Sequence, residues 1–172
     1  VTYAYSVNII ESDITFDKRE ITVTVESASK EYDDTPLSLN AYALTEGTMA
    51  YSDSLGAVFN TSITDAGTVD NPPTFQIFRD EGGIAVDVTH LYEITTVKGK
   101  LTVTPRVLKI RTGSVEAIYN GNTISCEEFE VDPDTALIEG HTVTLVSAPS
   151  YVDCGTHKNL MVISVQDKDG VD

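Results

Sequence analysis

Set against itself, the chain matches without a gap between residues 1–38 and residues 88–125, an offset of 88 − 1 = 87. Identical residues recur at Val1/Val88, Thr2/Thr89, Tyr5/Tyr92, Thr15/Thr102, Arg19/Arg106, Ser27/Ser114, Tyr32/Tyr119 and Ser38/Ser125. The apolar exchanges carry more weight. Val7/Ile94, Ile10/Val97, Ile14/Leu101, Phe16/Val103, Ile21/Leu108, Val23/Ile110, Ala28/Val115 and Leu37/Ile124 all keep a hydrophobe in register, as a shared core requires. Further on the match continues with gaps: Glu46-Gly47 faces Glu139-Gly140, Asp65 and Gly67 face Asp153 and Gly155, and Asn71 faces Asn159. A period of this length signals a tandem array of small modules, each too small to waste residues on long loops.

Within each copy the pattern alternates with period two, as in Ile21-Thr22-Val23-Thr24-Val25 and Leu101-Thr102-Val103-Thr104. That places one face inside and one in water, so strands are expected. Valine, isoleucine, threonine and tyrosine fill these positions, which suits a pleated surface. Tyr92 to Val97, then Lys98-Gly99, then Lys100 to Val103 predicts a hairpin turning on Gly99, with Glu11-Ser12-Asp13 as the corresponding turn of the earlier copy. Pro105 has no N–H to give to a ladder, and the module boundary is placed there. The expected organisation is residues 1–17 as the closing hairpin of a preceding repeat, 18–104 as a complete module, and 105–172 as a second module lacking its closing hairpin. The expected fold is all-β, with tandem immunoglobulin-like β-sandwich modules of about 87 residues. The alternative is a β-grasp α+β module, whose helix would lie within residues 37–44.

Composition narrows the partners. The 172 residues include 41% hydrophobic types, enough for a packed core, and no run approaches the roughly 18 apolar residues of a membrane-spanning helix. Acidic residues number 27 against 11 basic, a net charge of −16 spread along the chain. Nucleic acid is not expected as a partner, because a polyanion is bound by clustered Lys and Arg. Anionic membrane surfaces are disfavoured for the same reason. Solubility of a crowded surface protein accounts for the acidity, with calcium binding as the competing explanation.

Three stretches together resemble a known family. They are Ser27-Ala28-Ser29-Lys30-Glu31-Tyr32-Asp33-Asp34-Thr35-Pro36-Leu37, Thr64-Asp65-Ala66-Gly67-Thr68-Val69-Asp70-Asn71, and Asp87-Val88-Thr89 with Tyr92-Glu93-Ile94 and Gly99 to Pro105. In this combination the chain resembles the MBG or YDG-type repeats of bacterial surface proteins. The family has Tyr-Asp-Gly at its first turn; Tyr119-Asn120-Gly121 keeps the glycine, whereas Tyr32-Asp33-Asp34 departs from it. The resemblance implies a repeat of large secreted or wall-attached proteins of Gram-positive or gut-dwelling bacteria, often adhesins. It brings no catalytic or ligand-binding residues, since the motif describes the scaffold.

Candidate sites are few. Tyr32 and Tyr119 precede turns and are expected to anchor them by burying the ring and bonding the phenol. Asp167, Asp169 and Asp172 surround Gly170 and are weak calcium candidates, although the spacing lacks the closing glutamate of an EF-hand and reads first as a β-turn. Asp132-Pro133-Asp134 likewise reads as a turn. Cys126 and Cys154 fall in one copy while their counterparts Leu39 and Ala66 are not cysteine, so a disulfide is expected between them. His90, His141 and His157 have no zinc spacing, and no nucleophile elbow, phosphate loop or Cys/His signature is present. No catalytic residue, cofactor or enzymatic activity is expected.

The leading functional expectation is a structural stalk whose partners are neighbouring repeats of the same chain, with the strand-to-strand link Val103-Thr104-Pro105-Arg106-Val107 leaving little slack. The alternatives are an adhesive module binding host glycan or protein, and an accessory module of a polysaccharide-processing enzyme. Because residues 1–17 correspond to the closing hairpin that the second copy lacks, weak head-to-tail self-association by strand exchange is a further expectation.

Overall fold

The computed structural model describes residue 4, residue 8 and residues 10–171. The chain divides into two compact units. The first holds Val1–Ser29, Pro36–Ile63 and Gly67–Thr102, and the second Lys30–Thr35, Thr64–Ala66 and Val103–Asp172.

Among the described residues, nine strands precede Pro105: β1 (Arg19–Val25), β2 (Ala28–Glu31), β3 (Tyr42–Glu46), β4 (Asp53–Val58), β5 (Gly67–Asp70), β6 (Thr74–Asp80), β7 (Ala85–Asp87), β8 (Tyr92–Val97) and β9 (Lys100–Thr104). They form three-stranded sheets ordered β3-β1-β8, β4-β6-β7 and β2-β9-β5. The alternation in β1 does what period two requires: Ile21, Val23 and Val25 are buried and the threonines between them are not. Ile21, Val23, Ile77, Val88 and Tyr92 make one core cluster, and Tyr42, Leu55, Phe75 and Ile94 pack against it. Further down the chain come β10 (Ile110–Thr112), β11 (Ile124–Ser125), β12 (Phe129–Val131), β13 (Thr142–Ser147), β14 (Ser150–Tyr151) and β15 (Val162–Gln166), paired as β10-β12, β11-β14 and β13-β15.

The molecule is all-β, built from several small sheets as in the β-sandwich class. A single 3-10 turn, Thr89–Leu91, is the helical content of the described residues. Residues 37–44, where a β-grasp helix would have lain, instead make the Leu37↔Ile63 bridge and open β3. The hairpin expected from Tyr92 to Val103 is also corrected. β8 runs parallel to β1 while β9 lies between β2 and β5, so the chain changes sheet at Lys98-Gly99. Gly99 has no positive φ. It is needed there for proximity, because a Cβ at this position would sit 2.2 Å from the Glu26 carbonyl oxygen.

The ladders before and after Pro105 coincide when residues are shifted by 87 or 88. Val25↔Tyr42 matches Thr112↔Phe129. The adjoining bond from Glu26 N–H to Ala41 (3.0 Å) matches that from Gly113 N–H to Glu128 (2.7 Å). Leu37↔Ile63 matches Ile124↔Tyr151. Leu55↔Ile77 matches Val143↔Val165.

Candidate functional site

Asp53 is the buried carboxylate of the first unit. Cross-strand register sets it opposite Arg79, whose Nε donates to Oδ1 at 2.7 Å and whose second terminal nitrogen donates to Oδ2 at 3.0 Å. Tyr92 adds a third donor, its hydroxyl reaching Oδ2 at 2.6 Å while accepting the Ala50 N–H at 2.9 Å. The forked pairing holds the Asp53 carboxyl below its ordinary range, with the Arg79 guanidinium as the main cause and Tyr92 the next, against the opposing effect of burial. Burial, and then the bond to Asp53, push the Tyr92 phenol up. The three groups hold one another in one connected hydrogen-bond network, as a structural lock does. The sequence reading nominated Tyr32 and Tyr119 and missed Tyr92. Its Tyr5/Tyr92 identity was the available signal.

Tyr32 lies half-buried in the second unit, its ring centroid 5.9 Å from that of His141 and its N–H bonded to Thr104 at 2.9 Å. Burial raises its phenol pKa, reinforced by the charges of Asp34 and Asp167. The turn that follows is fixed by Asp33, which accepts the Thr35 N–H at 3.0 Å and its hydroxyl at 2.7 Å. Bonds from Lys30 and then Thr35 lower the Asp33 pKa to about 2. Asp34 stands at φ +60°, the left-handed position that Gly121 occupies at +80° in the second copy, and it pairs with Lys168. Asp34 thus adopts the left-handed turn conformation that a glycine adopts at residue 121. Tyr119 differs from its expected role: it is 65% exposed and does not bury its ring.

Asp167 directs one carboxylate oxygen into the turn that it opens. Its Oδ1 accepts the N–H groups of Asp169 (2.9 Å) and Val171 (2.8 Å), and its carbonyl accepts that of Gly170 at 3.1 Å. This is the β-turn geometry of an Asp-Gly sequence. Asp172 lies outside the described residues, among which no group of three potential ligands is assembled. Asp132-Pro133-Asp134 is also a turn. The Asp132 carbonyl accepts from Thr135 at 2.9 Å, and its carboxyl is held down first by the Asp134 N–H and then by Arg111. His157 stacks on Tyr151 with centroids 4.3 Å apart.

The second unit contains an open groove of about 930 Å³, lined among others by Val115, Ile118, Tyr119, Gly155, Thr156 and His157. Cys126 and Cys154 both line it. They stand as free thiols, so the expected disulfide is not formed. Register explains this. Ser125 faces Ser150 and Ile124 faces Tyr151, so Cys126 and Cys154 leave the antiparallel pair in opposite directions along it. At the floor, the Asn159 side-chain amide donates to the carbonyls of Gly113 and Cys126, each at 3.0 Å. No family model, curated protein or solved structure matches this chain.

Proposed function

We propose that the chain is a tandem of two copies of one immunoglobulin-like β-sandwich module, serving as a non-catalytic spacer in a bacterial cell-surface or secreted protein. The observation that carries this reading is the coincidence of four pairs of backbone contacts at shifts of 87 and 88 residues. A repeated backbone with divergent exposed side chains is what selection for a scaffold leaves behind, and it agrees with the resemblance to MBG/YDG-type repeats. The buried charges fit the same role. Asp53 is held by Arg79 across β4 and β6, and Asp132, just after β12, is held by Arg111 of β10, so both carboxylates serve strand pairing. A net charge of −16 disfavours anionic surfaces as partners.

A glycan array together with a mucin-binding assay on the full chain tests the spacer role. The expected result is no saturable binding. Micromolar binding abolished by a single surface substitution would overturn it and make the module adhesive.

A further inference from the structure

Asn120-Gly121 is the one asparagine–glycine pair in the sequence. It lies exposed in the bend ahead of β11, with Gly121 at φ +80°. A Cβ at Gly121 would meet nothing within 4 Å, so the space around this residue is open. The Asn120 Oδ1 accepts the Asn122 N–H at 2.9 Å. Among the described residues the Gly121 N–H itself has no hydrogen-bond partner. A fixed donor thus polarises the carboxamide, while the backbone nitrogen beside it is uncommitted.

The corresponding turn of the first copy lacks this pair. There Asp33 stands in place of the asparagine and Asp34 in place of the glycine, 120 − 33 = 87 residues earlier. The Asp33 Oδ1 accepts the Thr35 N–H at 3.0 Å, the counterpart of the Asn120 bond, and Asp34 holds φ +60°. A carboxylate therefore closes this turn as a carboxamide does. The Asp33 side chain is 48% exposed, so access to water belongs to the turn itself. Asn71 and Asn159 are placed differently. Their amides donate to the carbonyls of Leu39 and of Gly113 and Cys126, and they are followed by Pro72 and Leu160. Proline has no N–H to react, and the leucine side chain crowds its own nitrogen.

We infer that Asn120 is a site of spontaneous deamidation, converting to aspartyl and isoaspartyl residues by way of a cyclic imide formed with Gly121. The Gly121 nitrogen gives its proton to hydroxide, and its electron pair forms a bond to the Asn120 Cγ. The Asn122 N–H stabilises the negative charge that develops on Oδ1 in the tetrahedral intermediate. The Cγ–Nδ2 bond then breaks, and the nitrogen leaves as ammonia after taking a proton from water, which restores the hydroxide. Water adds to either carbonyl of the five-membered imide and opens it. Each conversion adds one carboxylate and takes the net charge from −16 to −16 − 1 = −17. The aspartyl product repeats the turn seen at Asp33. The isoaspartyl product has an extra methylene in the backbone and loses that geometry just ahead of the Ile124↔Tyr151 ladder.

Incubation of the full chain at neutral and at mildly alkaline pH, followed by peptide mapping, tests the inference. The peptide containing Asn120 is expected to gain about 1 Da and to split into aspartyl and isoaspartyl forms. Conversion should be faster at the higher pH, because the attacking nitrogen must lose its proton, and Asn71 and Asn159 should stay intact. Gly121→Asp introduces the residue that holds φ +60° in the first copy and is expected to keep the fold. Its Cβ hinders ring closure, so conversion should slow several-fold. An Asn120 that stays intact, or that converts no faster than the other asparagines, would overturn the inference. Conversion of Gly121→Asp at the wild-type rate would contradict it equally.

Discussion

Asn71 and Asn159 make the same hydrogen bond in the two units: the Asn71 amide donates to the carbonyl of Leu39 at 2.8 Å, and the Asn159 amide to that of Cys126 at 3.0 Å. The donors are 88 residues apart and the acceptors 87. Asn71 is fully buried and Asn159 only partly; the Asn71 N–H also bonds to the Gly99 carbonyl at 3.0 Å, a bond without a match at Asn159 among the described residues.

Removing these amides should therefore have unequal effects. Asn71→Ala leaves the Leu39 carbonyl without this donor inside the core and should cost about 2 kcal/mol, whereas Asn159→Ala should cost about 1 kcal/mol or less because water can replace the bond. Urea unfolding followed by residue-specific probes in each unit measures the difference. Equal losses would mean that the two sites are equally enclosed.

The Asp53 lock gives acid stability a defined sign. A carboxyl whose folded pKa is depressed contributes stability that is complete above its unfolded value, 3.8, and is lost as pH falls through the lower folded value. Asp53→Asn should accordingly be destabilised at neutral pH, with the gap to wild type closing as the pH is taken below 3.8. Tyr92→Phe should lower stability by about 1 to 2 kcal/mol at neutral pH, since it deprives a buried carboxylate of one donor. Denaturant midpoints collected from pH 7 downward test both.

At Gly99 the constraint is space. A methyl group there would meet the Glu26 oxygen at 2.2 Å and the Val25 oxygen at 2.8 Å, both backbone atoms of β1 and the residue after it. Gly99→Ala should destabilise the first unit by about 3 kcal/mol, an overpacking cost at the high end because backbone must move. Gly82→Ala, where a Cβ meets nothing within 4 Å, is the matched comparison and should cost only the roughly 1 to 2 kcal/mol of left-handed backbone. Thermal unfolding of both variants checks the order, and reversal would show that the β8-to-β9 crossing is looser than described.

Much of this was legible in the sequence where period two coincided with the repeat. Ile21, Val23, Leu101 and Val103 were marked by both signals, and all four are buried. What escaped were contacts set by long-range register. Nothing local in Tyr92 to Val103 tells whether two adjacent strands pair with each other or enter separate sheets, because a short connection suits both. The Asp53–Arg79 lock spans 26 residues and emerges only once β4 and β6 are aligned. Tyr119 matched Tyr32 in sequence, yet sequence identity does not convey whether a neighbouring strand is present to cover the ring.

The central claim is that the two units are copies of one backbone, and cross-strand contacts in the isotope-labelled chain test it most directly. Backbone nuclear Overhauser effects should link Ile124 with Tyr151, Thr112 with Phe129 and Val143 with Val165, alongside Leu37 with Ile63, Val25 with Tyr42 and Leu55 with Ile77. If the strands after Pro105 instead pair one residue out of this register, their apolar faces are reversed relative to the first unit and the two are not copies.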